Sequence, residues 1–331
     1  MKNSIEIIAE IAQGFEGNEK LTDLLIKGAI SSDADAVKFQ LVYADELATP
    51  DYEHYQLFKE LEMAQSIWTS VCEKIHDAGK KVYFDVFGLF SLDMAKKVGA
   101  DGVKLSTTEF YNNTLFDRAI VDFEMLFLSV GGIPIEDIDK KISVLSKLEI
   151  DKICLMYGFQ SEPTPLDQNN LNKLSIFKNR YPDFRIGFMD HSDGALDDAF
   201  HLSLVAIGTG INVIEKHITL DRELKIEDYI SGIAPTEFIK FVDLVRRFEP
   251  VMGINSLKLT EQEETYRNKA TKSVVAISNL KLGDTLTLDS IALKRCSKPI
   301  GESSILEIEQ AIGKTLATDI SINSPVLKVN L

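Results

Sequence analysis

Eight short apolar runs, separated by longer amphipathic stretches, constrain this chain more than any other feature. The runs cover residues 5–10, 35–40, 81–87, 101–106, 125–130, 152–157, 185–190 and 212–218. Each is near-continuously apolar and rich in Val, Ile, Leu or Phe, which suits strands covered on both faces of a parallel sheet. The stretches between them read as helices. Residues 21–32 place Leu21, Leu24, Leu25 and Ala29 on one face. Residues 67–79 run to Gly79, a helix stop, and 135–148 repeat the 3.6-residue spacing. Eight strand–helix units over about 250 residues predict an α/β chain folded as a (β/α)8 TIM barrel. The competing doubly wound sheet wants a GxGxxG turn after its first strand. This chain has AQGFEGN there, so the barrel is preferred.

The pattern ends at Met252-Gly253. Residues 1–253 are therefore assigned to the barrel and the polar segment 254–268 to a linker. Residues 269–331 carry short β-like pieces at 272–278, 284–295 and 324–330, punctuated by Gly283, Gly301 and Gly313. A β-rich domain of this size has a marginal core, so docking against the barrel or a second subunit is expected. The acidic run 261–264 reads as a solvated face, Trp68 as packing, and His54 and His76 as surface residues.

Charge narrows the function classes. The 331 residues include 36 basic and 51 acidic side chains, a formal net charge of −15. Such a chain repels a phosphate backbone, so no nucleic-acid partner is expected, although local lysines can still meet a small anion. Cys72, Cys154 and Cys296 have no metal-ligand or CxxC spacing and read as reduced thiols. No apolar run approaches the roughly 20 residues that span a bilayer. The start, MKNSIEIIAEIAQ, lacks the long apolar stretch of a secretory signal. A soluble cytoplasmic protein with no membrane partner is expected.

Barrel enzymes carry their reactive groups at the C-terminal ends of the strands. Here those ends supply Glu10, Lys38, Gln40, Lys104, Thr107, Glu109, Ser129, Asp190, His191 and His217. His191 and His217 end the seventh and eighth runs. Neighbouring strands bring them within reach of one divalent ion, with carboxylates or water completing the shell. Lys38 and Lys104 sit in apolar strands, where an ammonium group is costly unless an anion meets it. Two readings stay open for them: a phosphate or carboxylate subsite at the mouth, or internal ion pairs with Glu10 and Glu215. Thr107, Thr108 and Ser129 offer hydroxyl donors to the same anion.

Several of these residues sit in longer strings: IAEIAQGFEGN, ADAVKFQ, KLSTTEFYNNTLF, LFLSVGG, PTPLDQNNLNKL, IGFMDHSDG and VIEKHITLD. In this order they resemble the sialic acid (nonulosonate, N-acetylneuraminate) synthase family. KSVVAISNLKLGDTLTLDSIALKRCSKPIG resembles that family's C-terminal antifreeze-like (SAF) domain. The resemblance covers almost the whole chain. It implies a phosphoenolpyruvate-dependent transferase that condenses this donor with the aldehyde of an open-chain amino sugar and releases phosphate. It implies that His191 and His217 hold a divalent metal, Mn2+ before Mg2+ or Co2+. Lys38, Lys104, Thr107 and Ser129 would hold phosphoenolpyruvate. Glu109 and Glu10 would be catalytic, and Gln40, Glu162, Asp190 and Arg295 would complete the substrate site. Arg295 would come from the partner subunit of a domain-swapped homodimer.

The departures from the family pattern are specific. Gly14-Phe15 stands for Asn-His, FDVFG at 84–88 for an STPFD-like strand end, and Tyr157-Gly158 for His-Cys. Glu162 replaces a Tyr, and Met189 replaces the Ser before Asp190-His191. The start of the small domain, NKATKSVVA, lacks paired arginines. These changes point to retained chemistry with a changed acceptor. The alternatives are a phosphoenolpyruvate-dependent aldol synthase for another aldose, and a catalytically silent barrel used for binding or assembly.

Overall fold

The structure, a computed structural model, describes residues 4–253, 256–296 and 300–331. Positions 254 and 255 of the expected linker lie outside the described residues. The chain divides into two compact units, Met1–Gly253 and Ile254–Leu331.

The first unit is a closed barrel of eight parallel strands: β1 (Glu6–Ala12), β2 (Ala36–Gln40), β3 (Lys81–Asp85), β4 (Gly102–Leu105), β5 (Leu126–Ser129), β6 (Ile153–Tyr157), β7 (Arg185–Asp190) and β8 (Val213–His217). Each strand pairs with the next, and β8 closes onto β1. The open-sheet alternative is thereby excluded. Helices cover the outside, including Glu19–Ser31, Gln65–Asp77 and Ile135–Ile142. The second of these stops just before Gly79, whose φ of +72° is the left-handed conformation that ends a helix. The third is shorter than its periodicity suggests. Ser146 caps a separate turn, Lys147–Ile150, by exchanging hydrogen bonds with Glu149.

Side chains alternate across each strand, so every strand feeds two cores. Outward residues such as Ile7, Ala9 and Ile11 pack under the helices. Inward residues Ile8, Ala36, Tyr83, Phe127, Cys154, Met156, Met189 and Val213 fill the barrel. Below them, Glu6 accepts from the Tyr83 hydroxyl at 2.5 Å and from Arg185 at 2.6 Å, which plugs the N-terminal end. Trp68 packs edge-on to Phe15, Phe39 and Phe84 at centroid distances of 5.2, 5.6 and 5.3 Å. Phe15, one of the departures from the family pattern, is fully buried there. Its position therefore serves packing, not the barrel mouth.

In the second unit, β9 (Ser273–Ala276) and β10 (Ile291–Lys294) pair antiparallel over a core that includes Val274, Leu286, Ile291, Leu316 and Val326. The strands expected across 284–290 and 324–330 do not form. Only single bridges occur there, Thr285 with Thr315, Val275 with Pro325, and Ser304 with Leu327. Pro325 has no N–H to extend a ladder. The segment read as linker holds a helix, Glu261–Ala270, which Thr260 and Glu263 cap reciprocally. No residue of that helix is buried, so its sequence has no apolar periodicity to reveal it. Among the described residues no helix is long and apolar enough to cross a membrane.

Candidate active site

A cavity of about 310 Å³ opens at the C-terminal end of the barrel. The strands contribute Glu10, Lys38, Gln40, Asp85, Lys104, Glu215 and His217. The loops that follow them add Gln13, Ser106, Thr108, Gln160, Glu162, His191 and Asp228. Strand alternation explains the set: Lys38 and Gln40 share the inward face of β2, and Glu215 and His217 that of β8.

The floor of the cavity is a buried ion cluster. Lys38 Nζ lies 2.6 Å from Asp85, 3.6 Å from Glu215, and in close contact with Glu10. Lys104 Nζ lies 2.7 Å from Glu215 and 3.4 Å from Asp85. Asp85 and Glu215 each bridge the two ammonium groups. The internal ion pairs with Glu10 and Glu215 are present, with Asp85 added to them, and both lysines line the cavity. Burial works against the Lys38 charge, but Asp85, Glu10 and Glu215 outweigh it and hold its pKa well above the usual lysine range. Burial pushes the Glu10 carboxyl up to about 8, against the pull of Lys38 and with the push of Glu215 and Asp85. Neither oxygen of Glu10 makes a hydrogen bond, and its contact with the cluster is the ion pair with Lys38.

Two imidazoles stand above this floor. The His191 and His217 rings are 5.0 Å apart, centroid to centroid. The His191 loop is pinned through its carbonyl, which accepts from Thr164 N at 2.8 Å and from Ser231 Oγ at 3.1 Å. Burial lowers His191 to about 4. Burial, His191 and the lysines hold His217 well below its ordinary value. Both rings are neutral at pH 7, with lone pairs available, and the buried Nδ1 of His217 has no partner. Among the described residues, no group of three or more His, Cys, Asp or Glu side chains is arranged for a metal.

The rim carries a second acidic pair. Glu162 accepts from Ser231 N at 3.4 Å, and Asp228 from Gln13 N at 3.4 Å. The two carboxyls also hydrogen-bond to each other. Burial, then the Glu162 charge, pushes Asp228 up to about 7, and burial raises Glu162. Gln13 Nε2 donates to Gln40 Oε1 at 2.7 Å and ties the first loop to β2.

The structure does not bring every expected residue to the cavity. Asp190 needs a correction. Met189 faces inward, so Asp190 faces the helix layer, where it accepts from Ser192 and Ser203 at 2.6 and 2.8 Å and pairs with Lys216 at 3.1 Å. Ser129 is buried beneath the cavity, with Oγ 3.5 Å from Met189 Sδ. Thr107 donates to Gly131 O at 3.0 Å, and Ser106 and Thr108 reach the cavity in its place. Glu109 stands on the turn after β4, accepts from Asn112 at 3.1 Å, and does not line the cavity. Arg295 belongs to the second unit, where its Nε donates to Ala270 O at 2.7 Å. Sequence reasoning missed Asp85, Gln13 and Asp228. Inward parity on β3 was the available signal for Asp85. Asp228, in a loop at φ +63°, had none.

Comparison with known proteins places these features in a family context. A model described as the NeuB family matches residues 25–256, and a SAF domain model matches residues 271–331. The N,N'-diacetyllegionaminic acid synthase of Campylobacter jejuni is 26% identical over 330 residues, covering 95% of this chain and 96% of that protein. The N-acetylneuraminate-9-phosphate synthase of Mus musculus is 24% identical over 308 residues, covering 88% and 84%. The crystal structure of the N-acetylneuraminic acid (sialic acid) synthetase of Leptospira borgpetersenii, solved with citrate, superposes with a TM-score of 0.74. It is 27% identical and covers 81% of this chain and 93% of that one.

Proposed function

Because this chain belongs to the NeuB family, with a SAF domain after its barrel, we propose that it is a nonulosonate synthase that condenses phosphoenolpyruvate with the aldehyde of an amino sugar. One observation carries this reading: two neutral imidazoles and two lysines converge on one cavity at the C-terminal mouth of the barrel.

In the reaction, carbon 3 of phosphoenolpyruvate attacks the aldehyde carbon. The aldehyde oxygen takes a proton, water adds at carbon 2, and the resulting intermediate expels phosphate to leave a 2-keto acid. Lys38 and Lys104 hold the donor's anionic groups. Ser106 and Thr108 offer hydroxyls beside them. Glu10, whose carboxyl burial pushes up to about 8, is placed to give the aldehyde oxygen its proton. Gln40, Glu162 and Asp228 face the acceptor. The unpartnered Nδ1 of His217 and the neutral His191 ring fit a divalent ion, with substrate and water oxygens supplying its remaining ligands. Mn2+ is the first candidate, then Mg2+ or Co2+. Bound there, such an ion supplies Lewis-acid polarisation of the carbonyl. The proposal also includes a cytoplasmic setting and a domain-swapped homodimer in which Arg295 serves the acceptor's N-acyl group.

Phosphate release from phosphoenolpyruvate, measured with manganese and a panel of aldoses, tests the reading. Release that depends on one class of amino sugar is expected. Binding of an amino sugar with no release would identify a silent barrel, a reading favoured only by the excess of carboxylates around the two lysines.

The rim pair sets a pH dependence. Above about pH 7 Asp228 gives up its proton, and the ionised pair accepts hydrogen bonds from acceptor hydroxyls or an amine more strongly. The acceptor kcat/KM should therefore rise through that region. Glu162→Gln removes the charge that pushes Asp228 up, so the inflection should move to lower pH. Glu162→Tyr should re-rank acceptors by about ten- to hundred-fold, towards those presenting a methyl or bulky acyl group. An unmoved inflection and an unchanged ranking would place the pair outside the acceptor site.

A further inference from the structure

We propose that Asp85 is a built-in anion in the two-lysine seat and sets how tightly this chain takes the phosphate of its donor. The inference rests on the reading of Lys38 and Lys104 as the donor's anion seat. The Asp85 carboxylate divides its oxygens between the two lysines, Oδ1 on Lys38 at 2.6 Å and Oδ2 on Lys104 at 3.4 Å. That is how one oxyanion bridges two ammonium groups. The strand register enforces it: Asp85 lies opposite Gln40 of β2 on one side and opposite Lys104 of β4 on the other. Its side chain is 3% exposed, so water does little to screen it.

The charge balance gives this contact its consequence. Glu10, Asp85 and Glu215 are three carboxyls around two lysines, and all five side chains are almost wholly buried. A phosphate group entering this seat must displace a carboxylate or lie against one, and like charges in contact repel strongly where water is excluded. Asp85 is the carboxylate that the cluster can lose. Without it, Lys38 keeps Glu10 and Lys104 keeps Glu215 at 2.7 Å. Neither lysine is orphaned, so the seat keeps both positive charges and gains room for an anion.

Calorimetric titration of the wild-type chain, Asp85→Asn and Asp85→Ser with phosphoenolpyruvate and with inorganic phosphate tests the inference. Thermal melts establish that the variants are folded. Both should bind both ligands at least about tenfold more tightly than wild type, the amide keeping the side chain's volume and the serine opening space. Unchanged or weaker binding by folded variants, with a wild type that releases phosphate from phosphoenolpyruvate, would overturn the role of Asp85 and leave the proposed function standing. If no form of the chain binds either anion and the wild type shows no turnover, the reading of the lysines fails and takes the inference with it. A crystal structure of the wild-type chain with phosphoenolpyruvate needs no variant. Asp85 turned away from Lys38 supports the inference. Asp85 still bridging both lysines beside a phosphate bound to them contradicts it.

Discussion

Lys38→Met should destabilise the chain by about 3–5 kcal/mol, the usual cost of removing one partner from a buried ion cluster. Lys38 is fully buried and is the cation shared by Glu10, Asp85 and Glu215. Methionine fills nearly the same volume, so packing contributes little of the loss. The cost comes from carboxylates left facing one another with Lys104 alone. Its pH dependence has a definite sign. Losing the cation removes the pull of Lys38 on Glu10 and Glu215, so the Glu10 carboxyl, already raised, goes higher, and Glu215 loses part of what holds it low. A raised carboxyl pKa gives stability that is present at low pH and is lost as pH rises through the folded value. The deficit should be larger at pH 8 than at pH 5 in denaturant titrations. Adding Asp85→Asn to Lys38→Met should recover part of it by removing one uncompensated charge. A deficit below about 1 kcal/mol at pH 8, the level of a surface pair, would mean that water reaches the cluster.

His217→Ala should lower kcat by at least about a thousandfold while leaving the fold intact. The two halves of this expectation have separate causes. The buried Nδ1 of His217 has no partner, so its removal breaks no hydrogen bond from that atom. The ring is also neutral, so no ion pair is lost. A melting temperature close to wild type is therefore expected. The catalytic loss follows from halving the protein's contribution to the proposed ion site, where His191 would remain alone. Mn2+ titration followed by calorimetry reads this without turnover and should show binding weakened or abolished. Wild-type Mn2+ affinity in the variant would remove His217 from the metal site.

The barrel is legible in the sequence because parallel strands buried on both faces become apolar runs, and all eight runs match strands closely in extent. Lys38 and Lys104 stand out in those runs because a charge there requires a partner. His191 and His217 were found together because consecutive strands are neighbours in a barrel. The misplaced residues share a cause. Reading strand ends alone ignores parity, and MDH at 189–191 alternates inward, outward, inward. Asp190 therefore turns to Ser203 and Lys216 while His191 enters the cavity. Asp85 could have been found by the same parity, two residues after inward-facing Tyr83. Asp228 could not, because a loop residue bonded to Glu162 and Gln13 leaves no periodic trace. The helix Glu261–Ala270 has no apolar face, and its only local signal is the Thr260–Glu263 cap.

The most direct test of the central claim is the fate of oxygen when the reaction runs in 18O-labelled water. The proposed chemistry adds water at carbon 2 of phosphoenolpyruvate and then breaks the bond between that carbon and the phosphate-bearing oxygen. Mass spectrometry should find phosphate that is released only when an amino sugar is present and that carries no label, together with a product that has the mass of the sugar plus pyruvate raised by the one 18O that water brings to carbon 2. Labelled phosphate, or phosphate released without an aldose, would show hydrolysis at phosphorus and contradict the assignment as a synthase.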